Sequence, residues 1–256
     1  MQNRYSGDIG DYSKFVLLKK LFPSTNYKIG LVWYLYPDES HNGDGRHTGY
    51  VHKQEYLECD SELIAGLSNV ISGVRSIKEL ERATPLPKGT VYFSDPLDFH
   101  HRFPLQTIEH KNLRHESRIQ WLQSAREAVK ECNVVMLDPD NGLEIKSCPK
   151  INLGKSGKYA YYREVQEFFN LGTICVVYHH LNRTMSHQSQ IQLRAKELKE
   201  KVSGVETVFC VRFAPYSPRA YFILSRSEEL GMVQRRLEAF LGSFCGVGWD
   251  SYFKYN

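Results

Sequence analysis

Short apolar runs alternate along this chain with longer stretches in which apolar positions recur at helical spacing. The apolar runs predict strands at 28–36, 90–94, 133–138 and 173–179. The helical patterns predict helices at 11–22, 53–82, 115–131, 158–170 and 186–202. Strands that alternate with helices favour a mostly parallel sheet covered by helices on both faces.

The last third of the chain changes this pattern. Two apolar runs, 206–213 and 219–225, are joined by a short proline-containing turn, which predicts an antiparallel hairpin. A helix at 227–241 and an aromatic tail follow. We therefore expect one Rossmann-like α/β domain over residues 1–256, with a mostly parallel sheet, a C-terminal antiparallel hairpin and a helical insertion at about 53–84.

The amino-acid composition of the chain excludes few classes of function. The chain is 41% hydrophobic and 24% charged, and it has neither an apolar run near 18 residues nor an apolar signal-peptide core. We expect a cytoplasmic protein without a membrane partner. Its six cysteines form no CxxC pair, so we expect reduced thiols and neither a zinc cluster nor a disulfide framework. A net charge of +4 is compatible with a nucleic-acid partner without requiring one.

The most informative polar cluster follows strand 133–138, in the segment VVMLDPDNGLE. It contains Asp138, Asp140, Asn141 and Glu144 at a strand's carboxyl end, where open α/β sheets bind ligands. Three carboxylates this close repel one another unless a cation or a donor offsets them. A substrate amino group would do so, as would Mg²⁺ or Mn²⁺ held by Asp138, Asp140 and Glu144. The alternative is a simple turn stabilised by local backbone hydrogen bonds.

A second polar cluster, NGDGRH, follows strand 28–36. Glycines around Asp44, including Gly45, would let backbone amides approach a ligand, and Arg46 and His47 suit an anionic group of a substrate. The spacing is not that of a dinucleotide-binding fingerprint. A surface loop with glycine turns explains it equally well.

Further candidates lie at the ends of other predicted elements. Asp95 follows strand 90–94, where an acidic residue could bind ribose hydroxyls. His179 closes strand 173–179 and could act as a base or a metal ligand, although a buried hydrogen-bonded histidine is the alternative. Arg183, just beyond it, could bind phosphate. Lys14, near the start of the first helix, could reach a phosphate or a cofactor.

Four segments carry a resemblance to known proteins: YSGDIGDYSKFVLLKKL, GLVWYLYPDESHNGDGRH, VVMLDPDNGLE and VVYHHLNR. They resemble a widespread bacterial family of uncharacterised proteins over most of the chain. More distantly, the chain resembles the large-subunit ribosomal RNA adenine methyltransferases. Residues 7–15 resemble their G-N-x-x-D-x-x-K-H segment, and residues 138–141 resemble their Asp-Pro-Pro-Tyr motif.

The resemblance implies a class I methyltransferase-like fold that binds S-adenosylmethionine. It also implies that Asp138 accepts a hydrogen bond from the target amine and that Lys14 lies near the cofactor. Asp140 and Asn141 stand where those enzymes have Pro and Tyr, so the aromatic ring that stacks on the base is missing. The predicted sheet also has one strand fewer than that fold.

Three functions follow from these observations. The first is a methyltransferase acting on a nucleic acid or nucleotide, with Asp44 and Asp95 at S-adenosylmethionine and Asp138 and Asn141 at the substrate amine. The second is a metal-dependent nuclease or phosphoester hydrolase that holds Mg²⁺ or Mn²⁺. The third is a non-catalytic nucleic-acid-binding module.

Overall fold

The computed structural model describes residues 1–23, 27–39, 45–83 and 86–255. Its helices are α1 (Ile9–Leu21), α2 (Gln54–Cys59), α3 (Ser61–Ser72), α4 (Ile77–Ala83), α5 (Phe99–Arg102), α6 (Ile108–Val129), α7 (Tyr162–Phe169), α8 (His187–Lys201) and α9 (Ser227–Leu241). None of these helices is both long and apolar enough to cross a lipid bilayer.

The strands are β1 (Ile29–Trp33), β2 (Val91–Phe93), β3 (Val134–Asp138), β4 (Gly142–Leu143), β5 (Tyr159–Ala160), β6 (Ile174–His180), β7 (Thr207–Phe213), β8 (Arg219–Ser225) and β9 (Trp249–Tyr255). In the part of the chain that is described, seven of them form one sheet in the order β2-β1-β3-β6-β8-β7-β9. Strands β2, β1, β3 and β6 are parallel, whereas β8, β7 and β9 each pair antiparallel with their neighbours. The expected α/β fold is confirmed, with a mixed sheet.

The strand order reverses direction at β1. From β1 the chain continues to β2 on one side and then returns to β3 on the other side. The ends of β1 and β3 are level, since Trp33 lies opposite Asp138. Ligands of open α/β sheets bind outside the carboxyl ends of the strands at such a reversal. The topology therefore places the ends of β1 and β3 beside the position where a ligand is expected.

Two hydrophobic cores cover the two faces of the sheet. Successive residues of a strand point to opposite faces, so Leu31 and Met136 pack in the first core while Val32 and Leu137 pack in the second. Helices α1, α3, α4 and α9 contribute to the first core, and α6, α7 and α8 contribute to the second. Burial on both faces explains why the central strands are continuously apolar. The region expected as a helical insertion forms the connection from β1 to β2, and it packs in the first core.

The edge of the sheet differs from the expected one. The predicted hairpin is present as β7 and β8, but β9 pairs with β7 and forms the edge beyond it. The segment described above as an aromatic tail forms this strand, and its pairing with β7 shifts register between Cys210 and Arg212. Trp249 packs in the first core, whereas Phe253 packs against the second.

The expectation that all cysteines are reduced thiols is wrong for two of them. Cys59, at the end of α2, forms a disulfide with Cys245, and their Cα atoms are 4.9 Å apart. The other four cysteines are free and buried. The two bonded residues are separated by 186 positions in the sequence, so no local spacing pattern could indicate the pairing.

Candidate functional site

A cavity of about 350 Å³ opens at the predicted edge of the sheet, within the size range of small-molecule sites. Its walls come from the start of α1, the turn after β3, the end of β6 and the start of β8. Charged side chains of both signs line it: Asp8, Asp11, Lys14, Asp138, Asp140 and Arg219. These elements are distant in the sequence, and the fold brings them to one place.

Lys14 lies between two carboxylates. Its Nζ is 2.9 Å from Asp11 Oδ1 and 2.7 Å from Asp138 Oδ2, and all three side chains are buried. Helical spacing places Asp11 and Lys14 on the same face of α1. Burial alone would lower the pKa of Lys14, but the two carboxylates raise it. Burial raises the pKa of Asp11 to about 6, against the opposing effect of Lys14. Lys14 is therefore a fixed cation at the end of β3.

Local hydrogen bonds fix the start of α1. The helix begins two residues earlier than predicted, because Asp8 caps it by accepting a hydrogen bond from Gly10 N at 2.7 Å. The Asp11 carboxylate accepts another from Gly7 N at 2.7 Å. Ser13 Oγ lies 2.7 Å from the Tyr221 hydroxyl, a contact that fixes α1 against β8.

Asp140 has a different set of partners from Asp138. Its Oδ2 accepts a hydrogen bond from Gln2 Nε2 at 2.9 Å and lies 3.2 Å from Lys158 Nζ. Burial alone would raise the pKa of Asp140, but the terminal ammonium of Met1 and Lys158 lower it. Each of the first two carboxylates of the turn thus has its own cation. The repulsion expected from the sequence is offset within the chain.

Asn141 is the residue of this turn whose side chain is best placed for a ligand. Its backbone is held from both sides, since its N–H donates to the Lys158 carbonyl oxygen at 2.9 Å and its carbonyl oxygen accepts from His180 N at 3.3 Å. Its side chain lines the cavity. Among the described residues, the Asn141 amide group makes no hydrogen bond. It can therefore both donate to and accept from a bound molecule.

His179 and Glu144 do not reach this cavity. His179 is buried, its Nδ1 accepts a hydrogen bond from Leu143 N at 3.0 Å, and burial lowers its pKa to about 3. Glu144 Oε2 accepts from Tyr162 N at 3.0 Å, and Glu144 lines a second, separate groove. Neighbouring strand residues point to opposite faces, so His180 lines the cavity instead of His179.

The remaining predicted residues divide into three groups. Gly45 and His47 line the cavity, and the His47 ring lies 4.9 Å from the Tyr216 ring. Arg46, Asp95 and Arg183 are exposed and do not line it. Asp44 lies outside the described residues.

Sequence reasoning missed Arg219 and three tyrosines, Tyr5, Tyr178 and Tyr216, which also line the cavity. The predicted hairpin contained a signal for Arg219. When two neighbouring strands are antiparallel, one begins at the edge of the sheet where the other ends. Arg219 begins β8 opposite His180, at the end of β6. The tyrosines come from three separate segments and carried no common pattern.

The residues proposed to hold a divalent metal do not fit that role. Asp138 is engaged by Lys14, Asp140 by Lys158, and Glu144 lines the other groove. No cluster of three or more His, Cys, Asp or Glu side chains within the described ranges is placed to hold a metal ion. The Asp138 and Asp140 carboxylates are thus paired with ammonium groups of the protein.

No protein-family model matches the sequence, and no curated protein is significantly similar to it. Solved structures of similar fold exist. One is protein LPL1258 from Legionella pneumophila strain Philadelphia 1, assigned to the family model DUF519. It is 10% identical to this chain, with a TM-score of 0.50 over 98% of both chains. The likeness extends over the whole sheet and concerns the fold alone.

Proposed function

We propose that this chain is a methyltransferase that transfers a methyl group from S-adenosylmethionine to an amino group of a nucleic acid or nucleotide. The observation that carries the proposal is the position of the Asp138–Asn141 turn. It opens into a cavity at the reversal of strand order, where the Asp138 carboxylate and the Asn141 amide, which makes no hydrogen bond among the described residues, would receive the amine. The strand order and the antiparallel pair β7–β8 support a Rossmann-like, methyltransferase-type sheet.

The aromatic lining supports a planar substrate. Asn141 replaces the tyrosine that would stack on a base, but Tyr5, Tyr178 and Tyr216 lie around the same cavity. Tyrosine rings can stack on any of the nucleobases. The main requirement of methyl transfer is that the amine is aligned with the methyl group. Here the turn would hold the amine while a tyrosine ring holds the base plane.

The charges of the cavity fit the methyl donor. S-Adenosylmethionine supplies an electrophilic methyl group on a positively charged sulfur, and it carries an amino acid end with both signs of charge. Asp8 and Asp138 would favour the positive groups, and Arg219 the carboxylate. Lys14 would hold the Asp138 carboxylate in position. Because Asp138 and Arg219 are buried, their electrostatic effect on a ligand would be stronger than that of exposed charges.

The decisive experiment measures methyl transfer from radiolabelled S-adenosylmethionine to bacterial RNA, DNA and nucleotides, beside thermal stabilisation by the donor and by S-adenosylhomocysteine. We expect both nucleosides to stabilise the protein. We also expect Asn141→Ala to reduce transfer at least tenfold without loss of stability, since no hydrogen bond of the folded chain is removed. Asn69→Ala, at an exposed position of α3, is the matched control. Absence of stabilisation by either nucleoside would refute the proposal.

A further inference from the structure

Arg219 is a buried cation of the cavity that forms no ion pair with any described residue. Only 4% of the residue is exposed. Its Nε donates a hydrogen bond to the Ser217 carbonyl oxygen at 2.9 Å. Within the described part of the chain, its two Nη atoms make no hydrogen bond and no ion pair. A buried charge is costly unless it is paired, and the described residues provide no acceptor for the two Nη groups.

The neighbouring carboxylates are engaged elsewhere. Asp8 accepts a hydrogen bond from Gly10 N as the cap of α1, and Asp11 and Asp138 hold Lys14. Burial alone would lower the pKa of Arg219, but the Tyr178 hydroxyl and the Asp8 carboxylate raise it at longer range. Arg219 therefore remains charged and available.

The space for this guanidinium depends on Gly10. A Cβ atom at position 10 would lie 2.0 Å from Arg219 Nη1, so any side chain there would displace the guanidinium. Gly10 and Arg219 both line the cavity. The first turn of α1 and the start of β8 thus hold the arginine at one position, with its Nη groups on the cavity wall.

We propose that Arg219 binds an oxyanion of the ligand, either a carboxylate or a phosphate, through its two Nη atoms. The planar guanidinium matches both groups in a bidentate geometry. This inference rests on the proposed function only for the identity of the ligand, because the oxyanion would be the carboxylate of the methyl donor or a phosphate of the nucleotide substrate. No other cation of the cavity is free for this role among the described residues, since Lys14 is engaged by two carboxylates.

The test is calorimetric titration of the full chain with two matched pairs of probes. One pair is adenosine 5′-monophosphate and adenosine, and the other is S-adenosylmethionine and its decarboxylated form. We expect the wild-type protein to prefer the probe that carries the oxyanion by roughly 10- to 100-fold in one pair. The pair that shows the preference identifies the source of the oxyanion.

Three variants separate this role from a structural one. Arg219→Gln should bind both members of the pair equally. Gly10→Ala should lose the same preference without changing any charge, because its Cβ atom would meet the ends of two side chains, Arg219 Nη1 at 2.0 Å and Asp8 Oδ1 at 2.8 Å, rather than backbone. Arg235→Gln, an exposed arginine of α9, should retain the preference. Thermal unfolding of each variant checks its fold.

Several results would overturn the inference. One is that the wild-type protein binds none of the four probes, or that in neither pair does it prefer the probe with the oxyanion. Another is that the Arg219→Gln or the Gly10→Ala protein keeps the preference. The outcome is independent of methyl transfer. An Arg219-dependent preference for adenosine 5′-monophosphate, together with no binding of S-adenosylmethionine, would support the oxyanion site and refute the methyltransferase.

Discussion

Individual charges in the cavity are arranged so that nearly every one has a defined partner. Lys14 offsets Asp11 and Asp138, and Lys158 offsets Asp140. Such pairs fix side-chain positions more effectively than they add stability, since burial of each ion is costly. Arg219 forms no ion pair among the described residues, and it lies where a ligand would supply one.

His179 provides a prediction at this scale. Its pKa is about 3 in the folded chain and about 6.5 when unfolded, so the unfolded state binds a proton below pH 6.5 while the folded state does not. The contribution of His179 to stability is present above pH 6.5 and is lost as the pH falls towards 3. As the pH decreases over this range, we expect the free energy of unfolding of the wild type to fall by about 1.4 kcal/mol per pH unit relative to that of His179→Gln.

Urea unfolding of both proteins between pH 7.5 and pH 4.5 measures this difference. Asp11, with a pKa raised to about 6, acts in the opposite direction, since its contribution is lost as the pH rises through 6. It is present in both proteins and cancels in the comparison. Parallel pH profiles would show that His179 is not held neutral by burial.

The site residues that could be predicted from the sequence are those that lie at the end of a predicted strand. Asp138, Asp140 and Asn141 were found because they directly follow an apolar run, and the structure places all three on the cavity wall. His179 was chosen over His180, since sequence alone does not indicate which of two adjacent strand residues faces a site. To predict that Arg219 lies at the cavity, one must know that β8 begins beside the end of β6.

At the scale of elements, a buried ion pair joins α6 to α7. Arg118 Nε lies 2.8 Å from Glu164 Oε1, and both residues are at most 1% exposed. Glu164 Oε2 also accepts hydrogen bonds from Tyr34 Oη at 3.2 Å and from Tyr161 N at 3.1 Å. The pair thus connects both helices to the segment just after β1.

Removing this carboxylate should be far more costly than removing an exposed one between the same helices. Glu164→Gln leaves the buried Arg118 charge unpaired, so we expect a loss of about 3–5 kcal/mol in the free energy of unfolding. The control is Glu167→Gln, because Glu167 pairs with Arg126 at 2.8 Å with both side chains more than one third exposed. It should cost less than about 1 kcal/mol in urea unfolding. Equal losses in the two variants would contradict this explanation.

Element prediction succeeded where apolar spacing was regular. Helix α9 matches the prediction over Ser227–Leu241, and β8 matches it over Arg219–Ser225. Helix α6 begins at Ile108, seven residues before the predicted start, because Thr107 caps it by accepting a hydrogen bond from His110 N while its first turns are largely exposed. Strand β9 was missed, since its pairing is long-range and irregular.

For the whole molecule, alternation of strands and helices was sufficient to predict an α/β fold with helices on both faces. The order of the antiparallel strands was not predictable, because it depends on which strand the last segment joins. The disulfide was unpredictable for a similar reason. Cys59 and Cys245 lie in segments that meet only in the folded chain.

The disulfide gives a prediction for the whole chain. A bond between residues 186 positions apart restricts most of the unfolded chain, so its loss should lower the free energy of unfolding by about 2–5 kcal/mol. We expect Cys245→Ser to unfold at lower urea concentration than the oxidised wild type. A reductant should lower the wild-type midpoint to that of the variant and leave the variant unchanged. A wild-type midpoint that does not respond to reductant would contradict the prediction.

The contact between Ser13 and Tyr221 has a consequence for how the protein is made. These residues are 208 positions apart, yet their hydroxyl groups meet at 2.7 Å beside the cavity. A ribosome that adds about 5–20 residues per second needs roughly 10–40 s to synthesise the intervening chain. Helix α1 must wait for β8 throughout this time with its apolar face uncovered by that strand. A ligand of the cavity therefore cannot guide the early steps of folding, and it can stabilise only a chain that has been synthesised beyond β8.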